Sequence, residues 1–403
     1  MRLIQARVRC VAGVRDSGWF VPGRKTTVLY GEPGSGKTAL LRALQTLNPP
    51  YAIERLMPLA DHPETWQQQG HSRRVIPGKK TAVCMVFSAK AEQIPLLVKI
   101  DPALFETDRI EVGRRLDHSR WTTFVEIAAS ARWADIRKEM TRLQEKMQGR
   151  IGLPEFRLAG GLRENDRLKG EIGSQCLKWL QAIAPLVPSE LAATHAVCLT
   201  AVERRERFYK AEQQVAEWLP LTLHLCPEDL IADRFLPDFA NGDASAVAAQ
   251  LARNFLQIAG SLGQDVAAAR FALMREDNRP LAKLFSDKGL GGDPDLQWLD
   301  GELQIGQSPR NECARRCWYI GLVCQLAGLV RDGRPLLLLD GFDAGLQSEE
   351  KAEMMGFLQR LGEWCQVLSA TSDRLLAKQE GWHACLSIGV KTLEQGGRVN
   401  VMT

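Results

Sequence analysis

The sequence predicts an α/β fold in which a mixed sheet with flanking helices is accompanied by antiparallel strands and interrupted by an α-helical insertion. Three observations predict it. The β-branched run 26–30 leads through a glycine-rich turn into a helix, and a second buried-strand pattern, 336–340, follows roughly 300 residues later. Between them, from Trp121 to about Arg275, the chain is rich in Ala, Leu, Glu, Arg and Lys, which predicts helices.

These observations divide the chain into three parts. Residues 1–118 and 280–403 are predicted to be the two halves of one α/β domain, and residues 119–279 the helical insertion, or arm, between them. Within the insertion, 136–147 and 201–219 have the spacing of amphipathic helices. No heptad pattern is sustained, so the sequence does not predict a long coiled coil.

Local patterns assign the elements of the two halves. Alternating apolar and polar residues predict half-buried strands, and continuous apolar runs predict buried strands. The first half is predicted to contain strands at 3–10, 19–21 and 26–30, a helix at 39–45, and antiparallel strands at 81–87, 95–100 and 108–112, with a turn at 13–18. The second half is predicted to contain helices at 311–330 and 348–364, buried strands at 336–340 and 365–370, and edge strands at 385–388 and 398–401.

Composition places the chain among globular proteins. With 403 residues, 45% of them apolar and 25% charged, it can form one large or two ordinary domains. The net charge of +4 is weak for this length and neither indicates nor excludes nucleic-acid binding. Residues 1–4 do not begin a signal peptide, and the longest apolar stretch, 318–330, is too short to cross a bilayer. We therefore expect a cytoplasmic protein with no membrane partner.

The ten cysteines do not indicate a metal centre. They form no C-x-x-C pair, and the six histidines are scattered. Cys313, Cys317 and Cys324 fall at helical spacing, which predicts small apolar side chains on one helix face in a reducing compartment.

Residues 31–38 fit the pattern G-x-x-x-x-G-K-[ST] of a phosphate-binding P-loop, with a strand before it and a helix after it. Glycines permit the close backbone approach that phosphates need, and the helix N-terminus attracts the anion. Lys37 is predicted to reach the β- and γ-phosphates of ATP, and the Thr38 hydroxyl to bind Mg²⁺. The alternative is a glycine-rich turn that binds nothing. The predicted nucleotide-binding residues are Gly31, Glu32, Pro33, Gly34, Ser35, Gly36, Lys37, Thr38 and Ala39.

A P-loop needs an acid at the end of a nearby buried strand to hold Mg²⁺ through its water shell. The run Leu336-Leu337-Leu338-Leu339 ends in Asp340 and supplies one. Alone, an apolar strand followed by an acid is common and carries little information. Paired with the P-loop, it predicts Asp340 as a metal-binding and catalytic residue together with Lys37 and Thr38.

The order of these motifs resembles that of the SMC/RecF/RecN class of ABC-type ATPases. Members of that class have a split head, with the P-loop near the N-terminus, the second acid near the C-terminus and a helical arm between them. The stretch 336–346 is similar to the family's L-L-D-E-x-D-A-x-L-D pattern, and 303–307 is similar to its L-S-x-G-Q/E signature. The resemblance covers residues 1–118 and 280–403, and implies an ABC-type P-loop head with an antiparallel β subdomain.

The signature has a specific implication in this family. ATP is held between two heads, and the signature of one head meets the γ-phosphate bound by the other. By resemblance, Gly306 and Gln307 act in trans, and ATP drives head-to-head dimerisation. An ordinary loop before a helix explains Gly306 and Gln307 equally well.

The chain departs from the family pattern at the positions that perform hydrolysis. Gly341 stands at the position of the family's catalytic glutamate, directly after the second acid. Ser372 stands at the position of the H-loop histidine, and Gln347 at that of the D-loop aspartate. The signature serine is Gln304, and a glutamine-loop residue is assigned to Gln93 by position alone. Glycine cannot orient water, so Asp343 is the candidate replacement acid. The alternative is that Asp343 is only the acid that the family pattern also has beside the glutamate, with no role in orienting water.

Two functional hypotheses follow. In the first, the protein is an ATPase with slow hydrolysis that acts in DNA repair and maintenance or in anti-phage defence, with double-stranded DNA or a nuclease-type effector as partner. The DNA part follows from the resemblance alone, since the basic surplus between residues 131 and 170 fits a solvated helix face as well. In the second, it is a hydrolysis-deficient, nucleotide-gated scaffold or sensor for a partner protein. A transporter subunit and a small-molecule kinase fit the sequence less well.

Overall fold

The structure is a computed structural model that describes residues 1–11, 14–50, 77–127, 132–147, 162, 166, 168, 170–227, 247–277, 294, 296–299, 302–306, 309–393 and 396–402. The chain folds into two compact units. The first comprises residues 1–88, 112–121 and 218–403, and the second comprises 89–111 and 122–217. Within these described ranges, every helix is too short or too polar to cross a membrane.

The first unit is built on a six-stranded sheet, counted over the described residues, in the order β13-β12-β3-β11-β10-β7. Its strands are β3 (Thr26–Tyr30), β7 (Thr222–Leu225), β10 (Leu336–Asp340), β11 (Gln366–Thr371), β12 (Ala384–Leu393) and β13 (Gly396–Met402). Neighbouring strands from β7 to β12 pair in parallel, and β13 pairs antiparallel with β12. The continuous apolar runs predicted for β3 and β10 suit strands that are buried on both faces.

Helices cover both faces of this sheet. Helix α1 (Lys37–Gln45) packs against β7 and β10 on one face. The main core fills the other face, where alternate residues such as Leu337 and Leu339 meet apolar helices. The helices that belong to this unit and contribute to that core are α6 (Val247–Leu262), α7 (Gln264–Asp277), α8 (Glu312–Val330) and α9 (Ser348–Trp364). Cys313, Cys317 and Cys324 lie buried in this core on α8, which confirms the predicted apolar face.

The antiparallel part has the strand order β2-β1-β4-β5-β6. Its strands are β1 (Arg2–Val11), β2 (Val14–Asp16), β4 (Thr81–Ser88), β5 (Arg109–Arg115) and β6 (Arg120–Phe124). β1 pairs antiparallel with both β2 and β4, and its register shifts between Leu3 and Gln5. The predicted mixed α/β architecture with an antiparallel β part is therefore confirmed.

The second unit is mainly helical. Its helices are α2 (Ile94–Ile100), α3 (Trp133–Met147), α4 (Glu171–Ile183) and α5 (Ala192–Trp218). Apolar side chains of α3, α4 and α5 share one core that includes Met140, Leu180 and Val202. The predicted helices at 136–147 and 201–219 are both present, with α5 starting nine residues earlier than predicted.

Several elements differ from the sequence predictions. Residues 95–100 form α2 and not a strand, because Pro95 is in the first helical turn, where its missing N–H costs nothing. The turn predicted at 13–18 contains β2, whereas at 19–21 Phe20 makes only an isolated bridge with Ala6. Residues 385–388 belong to β12, which is paired on both sides and is not an edge strand.

Residues 218–277 also group differently from the prediction. The predicted insertion is 119–279, whereas residues 218–227 and 247–277 group by their contacts with the first unit, where β7 pairs with β10. The alternation of leucine with polar residues over 221–225 is short and lies next to a long helical composition, so it is easily overlooked.

Candidate functional site

The candidate site lies at the carboxyl ends of the parallel strands, the edge at which open α/β sheets bind ligands. In the register of the sheet, Tyr30 at the end of β3 lies opposite Thr371 on β11, and Asp340 at the end of β10 lies opposite Ala370. The loops that follow β3, β10 and β11 therefore leave the sheet at the same edge. The sequence prediction that the P-loop and Asp340 come together is consistent with this arrangement.

Glycines shape the loop between β3 and α1. Gly34 and Gly36 have φ angles of 79° and 93°, in the left-handed region that residues with a Cβ rarely adopt. Gly31 is constrained differently, because a Cβ there would lie 2.5 Å from Ser35 Oγ and 2.7 Å from the Ile388 carbonyl oxygen. Backbone conformation therefore favours glycine at positions 34 and 36, whereas lack of space for a Cβ requires it at position 31.

Lys37 folds back over this loop. Its Nζ donates to the carbonyl oxygens of Gly31 at 2.6 Å and Glu32 at 3.0 Å. Burial lowers the pKa of Lys37, opposed by the negative charges of Asp340, Glu32 and Asp343. A partly desolvated ammonium that is satisfied only by neutral carbonyls is ready to exchange them for an anion.

The loop also presents polar groups with nothing to bind. Ser35 Oγ is buried and has no hydrogen-bond partner among the described residues. The N-cap of α1 is Gly36, so no side chain caps the first N–H groups of that helix. Unsatisfied donors at a helix N-terminus fit a phosphate group. The residues present therefore fit the nucleotide phosphates that the motif predicts.

Asp340 meets the loop from the neighbouring part of the sheet. The Thr38 hydroxyl interacts with its carboxylate and lowers the pKa of Asp340. Burial acts to raise the pKa of Asp340, but the interactions with His224 and Thr38 outweigh burial and hold it below its usual range. Asp340 is therefore ionised at neutral pH, as a ligand of a cation or of its water shell must be.

His224 is a site residue that the sequence analysis missed. It lies on β7, and its Nε2 is 3.6 Å from Asp340 Oδ2, which is longer than a hydrogen bond. The signal in the sequence is the alternation of leucine with Thr222 and His224 over residues 221–225, and the strand itself was not predicted. Among the described residues no three His, Cys, Asp or Glu side chains come together as a metal cluster.

The loop after Asp340 starts in an unusual conformation. Gly341, at the position of the family's glutamate, has a φ of 67°. A Cβ added there would meet nothing within 4 Å, so the obstacle to a side chain is the backbone conformation and not space. Asp343 is buried, and its Oδ2 accepts a 2.6 Å hydrogen bond from the Thr371 hydroxyl.

Arg316, from the helix that follows the signature, holds this loop from outside. It is buried, and its Nη1 donates to the carbonyl oxygens of Phe342 at 2.5 Å and Ala344 at 2.9 Å. Its Nε donates to Glu312 at 2.9 Å. In the sequence Arg316 is only one residue of the predicted helix 311–330, because nothing in its local pattern reveals a contact with a loop some 26 residues away.

Three further positions were assigned by comparison with the family pattern, namely Ser372, Gln347 and Gln93. Ser372 is exposed, and Gln347 is the N-cap of α9, with its N–H donating to Glu350 at 2.9 Å. Gln93 belongs to the second unit, where its side-chain oxygen accepts from the Lys90 N–H.

The signature region is a short hairpin. Strands β8 (Gln297–Leu299) and β9 (Glu302–Gln304) pair antiparallel, and the Gly306 N–H donates to the Pro294 carbonyl at 3.1 Å. Leu303 and Ile305 pack against the main core. Gln307, the other predicted signature residue, lies outside the described residues. Strand β3, the glycine-rich loop, α1 and the acid of a nearby parallel strand together define a P-loop nucleotide-binding fold.

Comparison with solved structures gives similarities to SMC head domains, the class that the motifs resemble. One is an SMC head bound to the C-winged helix domain of ScpA, with 12% identity and a TM-score of 0.47 over 100% of this chain and 98% of that one. The SMC head domain from Thermotoga maritima has 12% identity and a TM-score of 0.39, with both chains covered at 100%.

A third is the Smc head domain with an extended coiled coil bound to the C-terminal domain of ScpA derived from Pyrococcus furiosus, with 11% identity and a TM-score of 0.38 over 100% of this chain and 96% of that one. No protein-family model matches the sequence, and a search of curated proteins gives no match. At such low similarity, the fold assignment rests on the strand order and the loop geometry.

Proposed function

We propose that this chain binds ATP with a divalent cation at residues 31–39 and works as an ABC-type ATPase head. The observation that carries the proposal is the interaction of the Thr38 hydroxyl with the Asp340 carboxylate, which helps to hold the pKa of Asp340 below its usual range. It joins the P-loop hydroxyl to the acid of a parallel strand, the two groups that a nucleotide-bound Mg²⁺ requires. Lys37, Ser35 and the N-terminus of α1 would hold the phosphates, and the bound cation would neutralise their charge.

Hydrolysis is proposed to be slow. Gly341 has no side chain, Ser372 stands at the position of the family's histidine, and Asp343 is the only acid between residues 341 and 347. Asp343 acts electrostatically on Lys37, so it lies near the phosphate side of the site. However, one of its oxygens is occupied by Thr371. Asp343 is the proposed water-orienting acid, with reduced freedom to perform that role.

Equilibrium binding of a fluorescent, non-hydrolysable ATP analogue with Mg²⁺ tests the first part. We expect Lys37→Ala to weaken binding about 100-fold, because it removes charge-assisted hydrogen bonds to phosphate. Lys25→Ala is the matched control, since Lys25 is a partly exposed lysine whose ion-pair partner is the exposed Glu363. Equal binding by the wild type and Lys37→Ala, or no binding by the wild type, would overturn the ATP site.

A second candidate is a nucleotide-gated scaffold without turnover. The contact between Asp343 and Thr371 favours it, because the Thr371 hydroxyl already occupies a carboxylate oxygen that would have to accept a hydrogen bond from water. Phosphate release by the purified protein separates the two functions. Turnover that is lost in Asp343→Asn supports the ATPase, whereas tight binding with no release supports the scaffold.

Pairing of two heads and the identity of a partner rest on the family resemblance. We propose that ATP brings two copies together with Gly306 and Gln307 facing the partner's nucleotide, and that the complex acts on double-stranded DNA or on an effector protein in DNA repair, maintenance or anti-phage defence within the cytoplasm. Light scattering with ATP, with ADP and with neither tests the pairing, and Gly306→Arg should abolish any ATP-dependent dimer. A monomer under all three conditions would contradict it.

A further inference from the structure

His224 lies beside the acid of the nucleotide site on the same face of the sheet. In the register of β7 with β10, it sits opposite Leu338, two residues before Asp340. Leu223 and Leu225 belong to the main core. Because side chains alternate along a strand, His224 points to the opposite face, the one that also carries Asp340 and is covered by α1.

The imidazole is buried and incompletely satisfied. The side chain is only 7% exposed, and Nε2 has no hydrogen-bond partner among the described residues. A buried polar atom without a partner is destabilising, so its presence calls for an explanation. Packing alone does not provide one, since the neighbouring strand positions are filled by leucine.

The separation between the two side chains fits a shared ion. Nε2 and Asp340 Oδ2 are 3.6 Å apart, beyond hydrogen-bonding distance. Two ligands that each lie about 2.1 Å from one metal ion are roughly 3 to 4 Å from each other. The Thr38 hydroxyl, which interacts with the same carboxylate, adds a third group.

We propose that His224 is a ligand of the cation that accompanies the nucleotide, and that its imidazole makes the site prefer a transition-metal ion such as Mn²⁺ or Co²⁺ over Mg²⁺. This inference rests on the proposed ATP site. Mg²⁺ requires oxygen ligands in near-ideal octahedral geometry, whereas an imidazole nitrogen raises affinity for first-row transition metals. Nucleotide phosphate oxygens and water would complete the coordination that His224, Asp340 and Thr38 begin.

Affinity for the ATP analogue, measured with Mg²⁺, Mn²⁺ or Co²⁺ and with EDTA, tests this preference. We expect the wild type to bind at least about tenfold more tightly with Mn²⁺ or Co²⁺ than with Mg²⁺. His224→Leu removes the nitrogen and should reduce this ratio to about two or less. His224→Gln supplies an amide oxygen and should retain binding with Mg²⁺ while losing the transition-metal preference.

Thr222→Val is the matched control. Thr222 lies on the same face of β7, and its buried Oγ1 also has no partner within the described part of the chain, but it is two residues further from the strand end. The ratio of the affinity for the ATP analogue with Mn²⁺ or Co²⁺ to that with Mg²⁺ should be the same in Thr222→Val as in the wild type. Thermal melting without nucleotide verifies that each variant folds, and His224→Gln preserves the test if His224→Leu does not.

Electron spin echo of bound Mn²⁺ provides a readout independent of affinity. Imidazole coordination gives ¹⁴N modulation, which should be present in the wild type and in Thr222→Val and absent in His224→Leu and His224→Gln. If the wild type binds the analogue but the metal ratio and the modulation are the same in all variants, the inference fails and the ATP site stands. If the wild type binds no nucleotide with any ion, the proposed function fails and the inference fails with it.

Discussion

The loops that follow β3 and β10 begin with similar hydrogen bonds to β11 but differ in how many of their other polar groups have partners. Both are anchored to β11, through hydrogen bonds from the Gly31 N–H to the Thr371 carbonyl and from the Gly341 N–H to the Ala370 carbonyl. In the described part of the chain, the first loop leaves Ser35 Oγ without a hydrogen-bond partner and the N-terminus of α1 without a side-chain cap. The second loop has its carboxylate, two of its carbonyls and its final N–H bound to other parts of the protein.

This difference indicates what holds each loop in place. Open donors are expensive to bury, so the first loop gains its full stability only when an anion binds. The second loop is satisfied by the protein itself. Changes in the first loop should therefore appear mainly in ligand binding, whereas changes in the second should appear in the stability of the free protein.

Removing Arg316 gives the largest expected effect on stability. Arg316→Leu leaves two carbonyls of the second loop without their donor and removes one of the two arginines that donate to Glu312. We expect a loss of about 3–5 kcal/mol in the free energy of unfolding, as for other broken buried charge interactions. Urea denaturation measures it. Arg315→Leu is the control, because Arg315 pairs with the same Glu312 from a more exposed position and should cost less than about 1 kcal/mol.

Equal losses of unfolding free energy in Arg316→Leu and Arg315→Leu would contradict the proposed difference between the loops. They would show that the contacts of Arg316 with the second loop add nothing beyond a surface ion pair. A normal unfolding energy for Arg316→Leu together with weaker nucleotide binding would also contradict it, since the second loop would then depend on ligand in the same way as the first.

The hydrogen bond between Asp343 and Thr371 comes next. A double-mutant cycle of Asp343→Ala and Thr371→Val should give single losses of about 1–3 kcal/mol that do not add, because both changes remove the same buried contact. Additive losses would mean that the two side chains are stabilised separately. The same variants sharpen the functional question, since Thr371→Val frees the carboxylate of Asp343 and should raise ATP turnover if Asp343 orients water.

Gly341 tests whether the missing glutamate can be restored. Gly341→Ala should cost about 1 kcal/mol, because a Cβ is unfavourable at a φ of 67°. Gly341→Glu should cost a similar amount and should not raise turnover. Gly356→Ala is the control, since Gly356 lies inside α9 with room for a Cβ and should gain about 0.5–1 kcal/mol. Faster turnover in Gly341→Glu would show that the loop tolerates the family's catalytic residue.

The parts of this site that the sequence predicts are those with a local pattern. The P-loop combines fixed letters with a strand before it and a helix after it, and the strand that ends at Asp340 is a continuous apolar run. Both were predicted with the bounds that the structure gives for β3 and β10. Short apolar runs are ambiguous, and the run that became α2 was predicted as a strand for that reason.

The parts that were missed depend on contacts between distant residues. β7 is only four residues long, and it becomes a sheet strand through pairing with β10, more than a hundred residues later in the chain. His224 could not be assigned to the site before that pairing was known. The left-handed backbone at Gly341 and the hydrogen bonds of Arg316 are likewise set by the packed loop, so the sequence shows the residues but not their conformations.

The smallest expected effect on stability concerns the charge of Asp373, which is hydrogen-bonded to Thr371 and through it connected to Asp343 of the second loop. The Asp373 N–H donates to Thr371 Oγ1, and its carboxylate pairs with Lys351 at 2.7 Å. The hydrogen bond from Lys351 lowers the pKa of Asp373. Stability from this charge is therefore present at neutral pH and lost as the pH falls below about 4, where the unfolded carboxyl titrates.

Asp373→Asn removes the charge but keeps an oxygen to cap the following turn, where Asp373 Oδ1 accepts from Leu375 and Leu376. We expect the variant to be less stable than the wild type by no more than about 1 kcal/mol at pH 7, since the pair is partly exposed. Urea denaturation should show this difference becoming smaller as the pH is lowered from 7 to 3. A difference that does not change with pH would mean that Asp373 supports the network through its shape and hydrogen bonds, in which case the second loop is held without help from this charge.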